Sequence, residues 1–555
     1  MSNAEPKASL FEFPMPASIK KSLAAGDISP ALFAILREGQ SFLDASRPDL
    51  ALDKFQEAYD LSGDNPFTLR VIGAFLYSIG QYKEALSIYL RLQELVPSEV
   101  DVLHSIGAIL YAMREFEPAM EMVRGLLEQH PTEPTIWLTA GLIAAELALW
   151  TEGRIFLEYA RDLSPDDPAI RMNLGWLERC ENKLEAAAAE YAVAMALAPG
   201  NVSIRFNQAL VLLGLGDFAA GWEAYEARTV PASHAYVNRE INVPVWDGKK
   251  RLRRERVLIG AEQGIGDQLH FTPDLPHLLA DVENPTLEIH AKLVKLFKRT
   301  YPDLDVRPQL FRKSGDVLFA GYPWIEEEGI QFDTLMNIGS LPLYAWRKFG
   351  NWPARPTRML QPDPEKVARF EERLRAFGDK PKVGFVWRSQ LYSGARAEAY
   401  AAPARYRNIL RDLGDATLIS LQYSEPDETI EFFRNEFGVE VHHFHDIDHI
   451  DDLDTVAALI STLDFTFGAK TAPLMLGAAV GTPSLAIHGA SPWVAQLPDG
   501  FDPWMPAFAQ ATGITWDHAF EEAESILRDW LAKALAGQPI APHRTEPFFP
   551  LVTKR

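Results

Sequence analysis

Residues 256–271 read RVLIGAEQGIGDQLHF. Val257, Leu258, Ile259 and Gly260 form a short, wholly apolar run of the kind that fills a parallel strand covered on both faces. Gly264-Ile265-Gly266-Asp267 then turns the chain into an apolar-periodic stretch through Leu269, so the segment predicts a strand, a glycine turn and a helix N-terminus. In open α/β sheets such junctions line the crevice at the carboxyl ends of the strands, where ligands bind. Glu288 follows at about the spacing of a dinucleotide fingerprint, but the third glycine position is Leu269, so that reading fails.

Outward from this stretch, a chain of 555 residues is too long for one core and divides into several domains. A net charge of −22 argues against nucleic acid or an anionic membrane as partner, because both require clustered positive charge. The basic cluster from Lys249 to Arg256 reads equally well as a solvated tether. Cys180 is the sole cysteine, which excludes an intramolecular disulfide and favours a cytoplasmic setting. No apolar run reaches the ~18 residues of a membrane span, and no secretory signal pattern opens the chain.

The first half repeats itself. Gly39, Gly73, Gly107, Gly141, Gly175 and Ala209 recur at a period of 34; Ala51, Ala85, Ala119, Gly153, Ala187 and Gly221 follow in a second register. Phe55, Tyr89, Val123, Leu157, Tyr191 and Tyr225 hold a third, and Pro97, Pro131, Pro165 and Pro199 close four units. The pattern resembles six tetratricopeptide repeats over residues 32–235, in which small residues let two helices approach, a large apolar residue fills the gap and proline ends the hairpin. Residues 1–31 are expected as a capping arm. Such arrays present a groove to a protein or peptide, so this half is assigned to partner recognition.

Residues 236–250, rich in turn formers, read as a linker. Beyond them apolar strands alternate with helical stretches. The expected strands are Val257–Gly260, Thr286–Ile289, Asp316–Phe319 and Thr334–Ile338, then Lys382–Trp387, Thr417–Gln422, Glu440–Phe444, Phe465–Phe467 and Ser484–Ile487. Two strand–helix series predict two doubly wound, Rossmann-like lobes, at 251–365 and 366–536, with a cleft between them and a Pro-rich tail over 537–555. The expected fold class is therefore an α-solenoid followed by α/β, with the lobes arranged as in B-type glycosyltransferases.

Several strings in order carry a more specific likeness: Gly221-Trp222-Glu223-Ala224-Tyr225-Glu226-Ala227-Arg228, Pro244-Val245-Trp246-Asp247-Gly248, Ala261 to Gln268, Gly339-Ser340-Leu341-Pro342-Leu343, Val383 to Ser389, Ser420 to Tyr423, Asp451 to Ala457, and Leu476 to Pro483. Together they resemble bacterial tetratricopeptide-linked glycosyltransferases, related to the lipopolysaccharide heptosyltransferases and more distantly to the O-linked GlcNAc transferases. Within that group the chain is most similar to alphaproteobacterial flagellin glycosyltransferases. The resemblance implies transfer of a nonulosonic acid, from a nucleotide sugar such as a CMP-linked acidic sugar, to Ser or Thr of flagellin held by the repeats.

The same resemblance places Asp267 as catalytic base, in the cleft loop with Gln263, Gly264 and Gly266; a helix cap is the competing role. Arg388 and Ser389, at the mouth of the second lobe's first strand, suit a leaving phosphate, with a surface ion pair for Arg388 as the alternative. Gln422 reads either as a nucleotide contact or as a satisfied turn amide. Asp454 reads as a helix cap. At Lys470-Thr471-Ala472 the heptosyltransferases carry an acidic residue in place of Lys470, and a histidine in place of Met475. A lysine before a helix N-terminus favours an anion, a phosphate or a sugar carboxylate, over a neutral heptose, and a solvent-facing lysine is the bland reading. The run His442-His443-Phe444-His445-Asp446 lacks a second ligand cluster at metal-site spacing, so neither metal nor cofactor is expected. Two classes stay open: a protein O-glycosyltransferase, and a binding scaffold with a vestigial transferase domain, with a heptosyltransferase as a weaker third.

Overall fold

The structure, a computed structural model, describes residues 29–44, 47–97, 99–147, 149–181, 183–231, 233, 236–246, 249–250, 252–253, 255–262, 264–314, 317–351, 357–389, 400–489, 507–513 and 516–540. Almost all of the expected arm, most of the tail and Gln263 lie outside the described residues.

Among the described residues, twelve helices pair into six hairpins, from Pro30–Asp44 with Pro48–Ser62 to Val202–Gly214 with Phe218–Tyr225. The sequence registers meet in space as the period requires. A Cβ on Gly73 would lie 2.6 Å from the Tyr89 ring, and one on Gly141 2.6 Å from Leu157, so only glycine allows the two helices of these hairpins to close. Ala51, Ala85, Ala119 and Ala187 are fully buried between them. Asn65, Asp167 and Asn201 cap the helices that follow by accepting backbone N–H bonds. Trp137 packs on Tyr159 at 4.5 Å and donates to the Pro131 carbonyl at 2.7 Å, which makes it a packing residue.

The second half holds β1 (Val237–Arg239), β2 (Val257–Gly260), β3 (Thr286–Ile289), β4 (Asp305–Pro308), β5 (Phe311–Ser314), β6 (Val317–Ala320), β7 (Thr334–Asn337), β8 (Lys382–Val386), β9 (Thr417–Ser420), β10 (Val441–His442), β11 (Phe465–Gly468), β12 (Ser484–Gly489) and β13 (Phe508–Gly513). One sheet runs β4-β3-β2-β7 and another β10-β9-β8-β11-β12-β13. Every pairing in both is parallel. Each order turns outward from its first strand, so each lobe has a switch point, between β2 and β7 and between β8 and β11. At the second, Gly468 has φ +132° and a Cβ there would fall 1.7 Å from the Val386 carbonyl oxygen, so the strands can meet only through glycine.

Three expectations need correction. Residues 236–250 are not a free linker: β1 pairs with β6, Val245 bridges to Leu335, and Trp246 is buried, its indole donating to the Lys250 carbonyl. Residues 317–320 form a strand, but in a separate three-stranded sheet, β1-β6-β5, where β6 runs antiparallel to β5. The place expected for it in the lobe's main sheet is taken by β4, whose Asp305-Val306-Arg307-Pro308 edge sequence hides it from an apolar-run search. Asp454 does not cap its helix. Asp452 does, accepting from Thr455 N, while Asp454 is buried and ion-paired to Lys366 at 2.9 Å and, across the lobes, to Arg299 at 2.7 Å.

The solenoid and the first lobe share one core. Phe218 meets Trp346 at 5.7 Å, Trp222 meets Phe271 at 6.3 Å, and Glu223 pairs with Arg347 at 2.8 Å. A fragment ending at Pro231 is therefore expected to keep its earlier hairpins but to lose hydrogen-exchange protection in Phe218–Tyr225, because Phe218 and Trp222 lose their cover. Full protection of that helix in the fragment would show the repeats to be independent of the lobe.

Candidate functional site

The residues of the first switch point are held by two buried guanidinium groups. Arg228, from the last turn of the solenoid, is 3% exposed. Its Nε and Nη2 donate to Glu262 Oε1 at 3.2 and 3.1 Å, its Nη1 to Glu226 Oε1 at 2.7 Å, and its Nη2 to Ser340 Oγ at 3.0 Å. Burial opposes its charge, but Glu226 and Glu262 outweigh that and raise its pKa. Gly339 N donates to the same Glu262 oxygen at 3.2 Å, so the loop after β2 and the turn after β7 are fastened to the end of the solenoid. Arg239 closes the other side: it pairs with buried Glu288 at 2.8 Å and reaches Asn337 Oδ1 and the Ala261 carbonyl. A Cβ on Gly260 would touch that guanidinium at 2.5 Å, which accounts for the glycine ending β2.

Gln268 fixes the loop from within, donating to the Glu262 carbonyl at 2.5 Å and to Gln309 at 2.8 Å while accepting from His290 N at 2.7 Å. Asp267 is exposed in the first turn of helix Ile265–Phe271, whose N-cap residue is Gly264. Its carboxylate folds back over Gly264, where a Cβ would lie 2.7 Å from Oδ2. Tyr225 stands behind this loop under the Arg228 guanidinium, 4.5 Å from ring to cation. Burial raises its hydroxyl pKa; Arg228 lowers it and Glu262, Asp267 and Glu226 act on it as well.

At the second switch point Gln422 is fully buried and spends its amide on the loop after β8. Its Oε1 accepts from Trp387 N and Arg388 N, both at 3.2 Å, and its Nε2 donates to the Arg388 carbonyl at 3.0 Å. Of the two readings of Gln422, the turn amide has the geometry: the buried side chain is bonded to backbone and positions Arg388. Arg388 is half-buried, 3.4 Å from exposed Glu425, and Ser389 Oγ accepts from the Tyr423 hydroxyl at 3.0 Å. Lys470 is half-buried, its Nζ 5.7 Å from the Phe508 ring centre. Thr471 is the N-cap residue of helix Ala472–Ala479, and its hydroxyl donates to the Ala469 carbonyl at 3.2 Å.

The two switch points are neighbours. Helix Ile265–Phe271 packs against helix Ala472–Ala479, and a Cβ on Gly266 would lie 3.9 Å from Met475 Cγ. Asp267 and Lys470-Thr471-Ala472 thus sit on loops or first turns of helices that touch across the lobes. The residues that sequence reasoning left unassigned include Arg228, Arg239, Glu262 and Asn337. Arg228 and Glu262 lay within the strings that carried the resemblance, but their pairing spans 34 positions and has no local signature.

Among the described residues no group of three or more His, Cys, Asp or Glu side chains is arranged to hold a metal. His443 instead stacks on His449 at 4.5 Å and lies 4.7 Å from His445.

No family model matches the sequence. The chain is 31% identical over 406 residues to "Protein FlbA" of Caulobacter vibrioides, a match that covers 71% of this chain and 67% of that protein. The chain belongs to the FlbA family. Its first half is also similar to solved structures that include TTC0263, a thermophilic TPR protein of Thermus thermophilus (24% identical, 33% of this chain and 99% of that one, TM-score 0.30). Another is YrrB, a TPR protein with an unusual peptide-binding site (17% identical, 31% and 89%, TM-score 0.24).

Arg228→Met is expected to leave Glu226 and Glu262 without their cation and to cost about 3–5 kcal/mol, measured by denaturant unfolding. A pH dependence follows from His443, whose imidazole burial, with His449 and His445 beside it, pushes down from 6.5 to about 4. Because the unfolded chain binds that proton first, the contribution is complete above pH 6.5 and is lost as the pH falls toward 4. His443→Leu should flatten the stability profile in that interval; an unchanged profile would remove His443 as its source.

Proposed function

We propose that this chain is a protein O-glycosyltransferase with a B-type (GT-B) arrangement of its two lobes. A nucleotide-activated sugar binds in the cleft between them, and the repeats present a protein whose Ser or Thr receives the sugar. The observation that supports this reading is the contact between helices Ile265–Phe271 and Ala472–Ala479. It brings the two crevices where doubly wound sheets bind ligands onto one cleft, beside the end of a protein-binding solenoid.

In this reading Asp267 takes the proton of the acceptor hydroxyl as the sugar's anomeric carbon bonds to that oxygen and the nucleotide phosphate departs. Arg388, positioned by Gln422, and Ser389 face the departing phosphate, and Lys470 with the N-terminus of helix Ala472–Ala479 attracts an anion, the phosphate or a sugar carboxylate. The motif resemblance extends the proposal to flagellin as acceptor, a CMP-linked nonulosonic acid as donor and a cytoplasmic site of action. A second reading, a scaffold whose transferase domain is vestigial, draws on Lys470 and on Met475, which packs toward Gly266 at the cleft.

Asp267→Asn should retain fold and nucleotide affinity but cut turnover by roughly 10²–10⁴-fold. Turnover equal to the parent's would remove Asp267 from the chemistry, and a parent without any transfer activity would favour the scaffold. Lys470→Ala should weaken an acidic donor by roughly one to two orders of magnitude and the bare nucleotide much less, read by calorimetry. Equal losses would place Lys470 on the phosphate instead.

A further inference from the structure

Helices Val100–Met113, Pro134–Glu146, Pro168–Cys180 and Val202–Gly214, each the first of its hairpin, touch in succession and so line one face of the solenoid. Two sequence registers run side by side along them. Met172 and Trp176 lie one turn apart on one helix, Phe206 and Leu210 one turn apart on the next, and the second pair follows the first by one repeat period. Residues at i and i+4 share a helix face, and residues one repeat apart share a side of the array, so the four side chains form one patch. All four are half-buried, which leaves part of each open to water.

The chemistry of these registers changes along the array. One repeat earlier they hold Leu138 and Leu142, which are buried in the cluster on which Trp176 packs. Before that they turn polar or small, with His104 and Ala108, then Arg70 and Ala74. His104 is bonded to Thr139 Oγ1 at 2.8 Å, and Arg70 pairs with Glu99 and Asp101. The accessible apolar ground therefore lies at the end of the solenoid that docks on the first lobe.

From that end a chain of rings continues into the lobe. Phe206 meets Tyr225 at 5.6 Å, and Tyr225 meets Phe271 at 6.1 Å. Phe271 ends the helix that carries Asp267 and stands one turn after it. Phe206 and Asp267 are thus within about 20 Å of each other, a span that roughly six residues of extended chain cover. An acceptor that reaches from the solenoid to Asp267 meets this patch last. Covering its Trp, Phe, Leu and Met surface is favourable, and it requires an apolar side chain on the partner.

We propose that Met172, Trp176, Phe206 and Leu210 form the docking site for a large apolar side chain of the acceptor protein, within about six residues of the Ser or Thr that receives the sugar. The assignment rests on the transferase reading above. Trp176→Gln, Phe206→Gln and Leu210→Gln each place an amide in the patch. Ile155→Gln is the control, because Ile155 is an exposed apolar residue on the second helix of its hairpin, Trp150–Leu163.

The test measures two things with the full chain: its affinity for purified flagellin, by calorimetry, and its transfer of a labelled CMP-linked nonulosonic acid to that flagellin. Each patch variant should weaken flagellin binding and raise the acceptor KM by about 10–100-fold, the range for losing an interface anchor. Affinity for the bare nucleotide and melting temperature should stay near the parent's, and Ile155→Gln should change none of these. Three positions guard against one variant that fails to fold. Parent-like flagellin binding by folded variants overturns the patch while leaving the transferase reading intact, as does an equal loss in Ile155→Gln. A parent dimer that Phe206→Gln dissociates, read by sedimentation, gives the patch to a second copy of the chain and overturns the proposal. Flagellin that the parent binds through the patch but never glycosylates overturns the transferase reading and leaves the docking site, whereas a parent that binds no flagellin overturns the docking site.

Discussion

A single buried guanidinium, that of Arg228, determines how the two halves of this chain are joined. A cation removed from water is costly unless it is paired and fully bonded, and Arg228 meets that requirement only by drawing Glu226, Glu262 and Ser340 to itself at once. Glu226 belongs to the solenoid, Glu262 to the loop after β2 and Ser340 to the turn after β7. Their convergence fixes the last repeat against the first switch point, and the Trp222 and Phe218 contacts seal the same junction with apolar surface. The repeats and the first lobe are therefore built into one body, since Arg228 completes its bonds only with groups from both halves.

The lobes obey a second constraint, the need of parallel strands for cover on both faces. β2 and β8 are wholly buried, and helix Ile265–Phe271, which follows β2, meets helix Ala472–Ala479, which follows β11. Where the second sheet reverses its order, β11 must come so close to β8 that only Gly468, at positive φ, fits. Across the cleft the buried Asp454 carboxylate is bonded by Arg299 of the other lobe and by Lys366. Burial raises its pKa, and the two cations more than reverse that, so the net direction is downward and the tie persists in its charged form. The relation between the lobes thus depends on a charge pair shielded from screening as well as on the shared core.

Around the cleft the protein separates groups that hold the backbone from groups that reach solvent. Gln422 and Gln268, both fully buried, have their amides occupied by backbone, and their effect is to fix the peptide planes that precede Arg388 and Asp267. Arg388, Ser389 and Lys470 are only half-buried, so part of each side chain faces water. The loop backbone is thus immobilised while the polar tips stay accessible to solvent.

The repeats were fully legible in the sequence. Their helices contact mainly their neighbours, so the 34-residue period encodes the packing directly, and Gly73 against Tyr89 or Gly141 against Leu157 could be paired by counting. The apolar strands β2, β3, β7, β8, β9 and β11 were legible for a similar reason: burial on both faces enriches them in Val, Ile, Leu and Phe. Edge and small-sheet strands such as β1 and β4 were not, because exposure on one side lets polar residues and proline in. The sequence also located the cleft loops but not the use of their residues. That Gln422 serves the backbone, that Asp452 and not Asp454 caps a helix, that residues 237–239 form a strand and Val245 bridges to Leu335, and that Arg228 reaches Glu262 are all decided by tertiary structure. Each depends on which groups burial leaves without water, and a buried donor or charge takes the partner that folding brings nearest, however far away it stands in the chain.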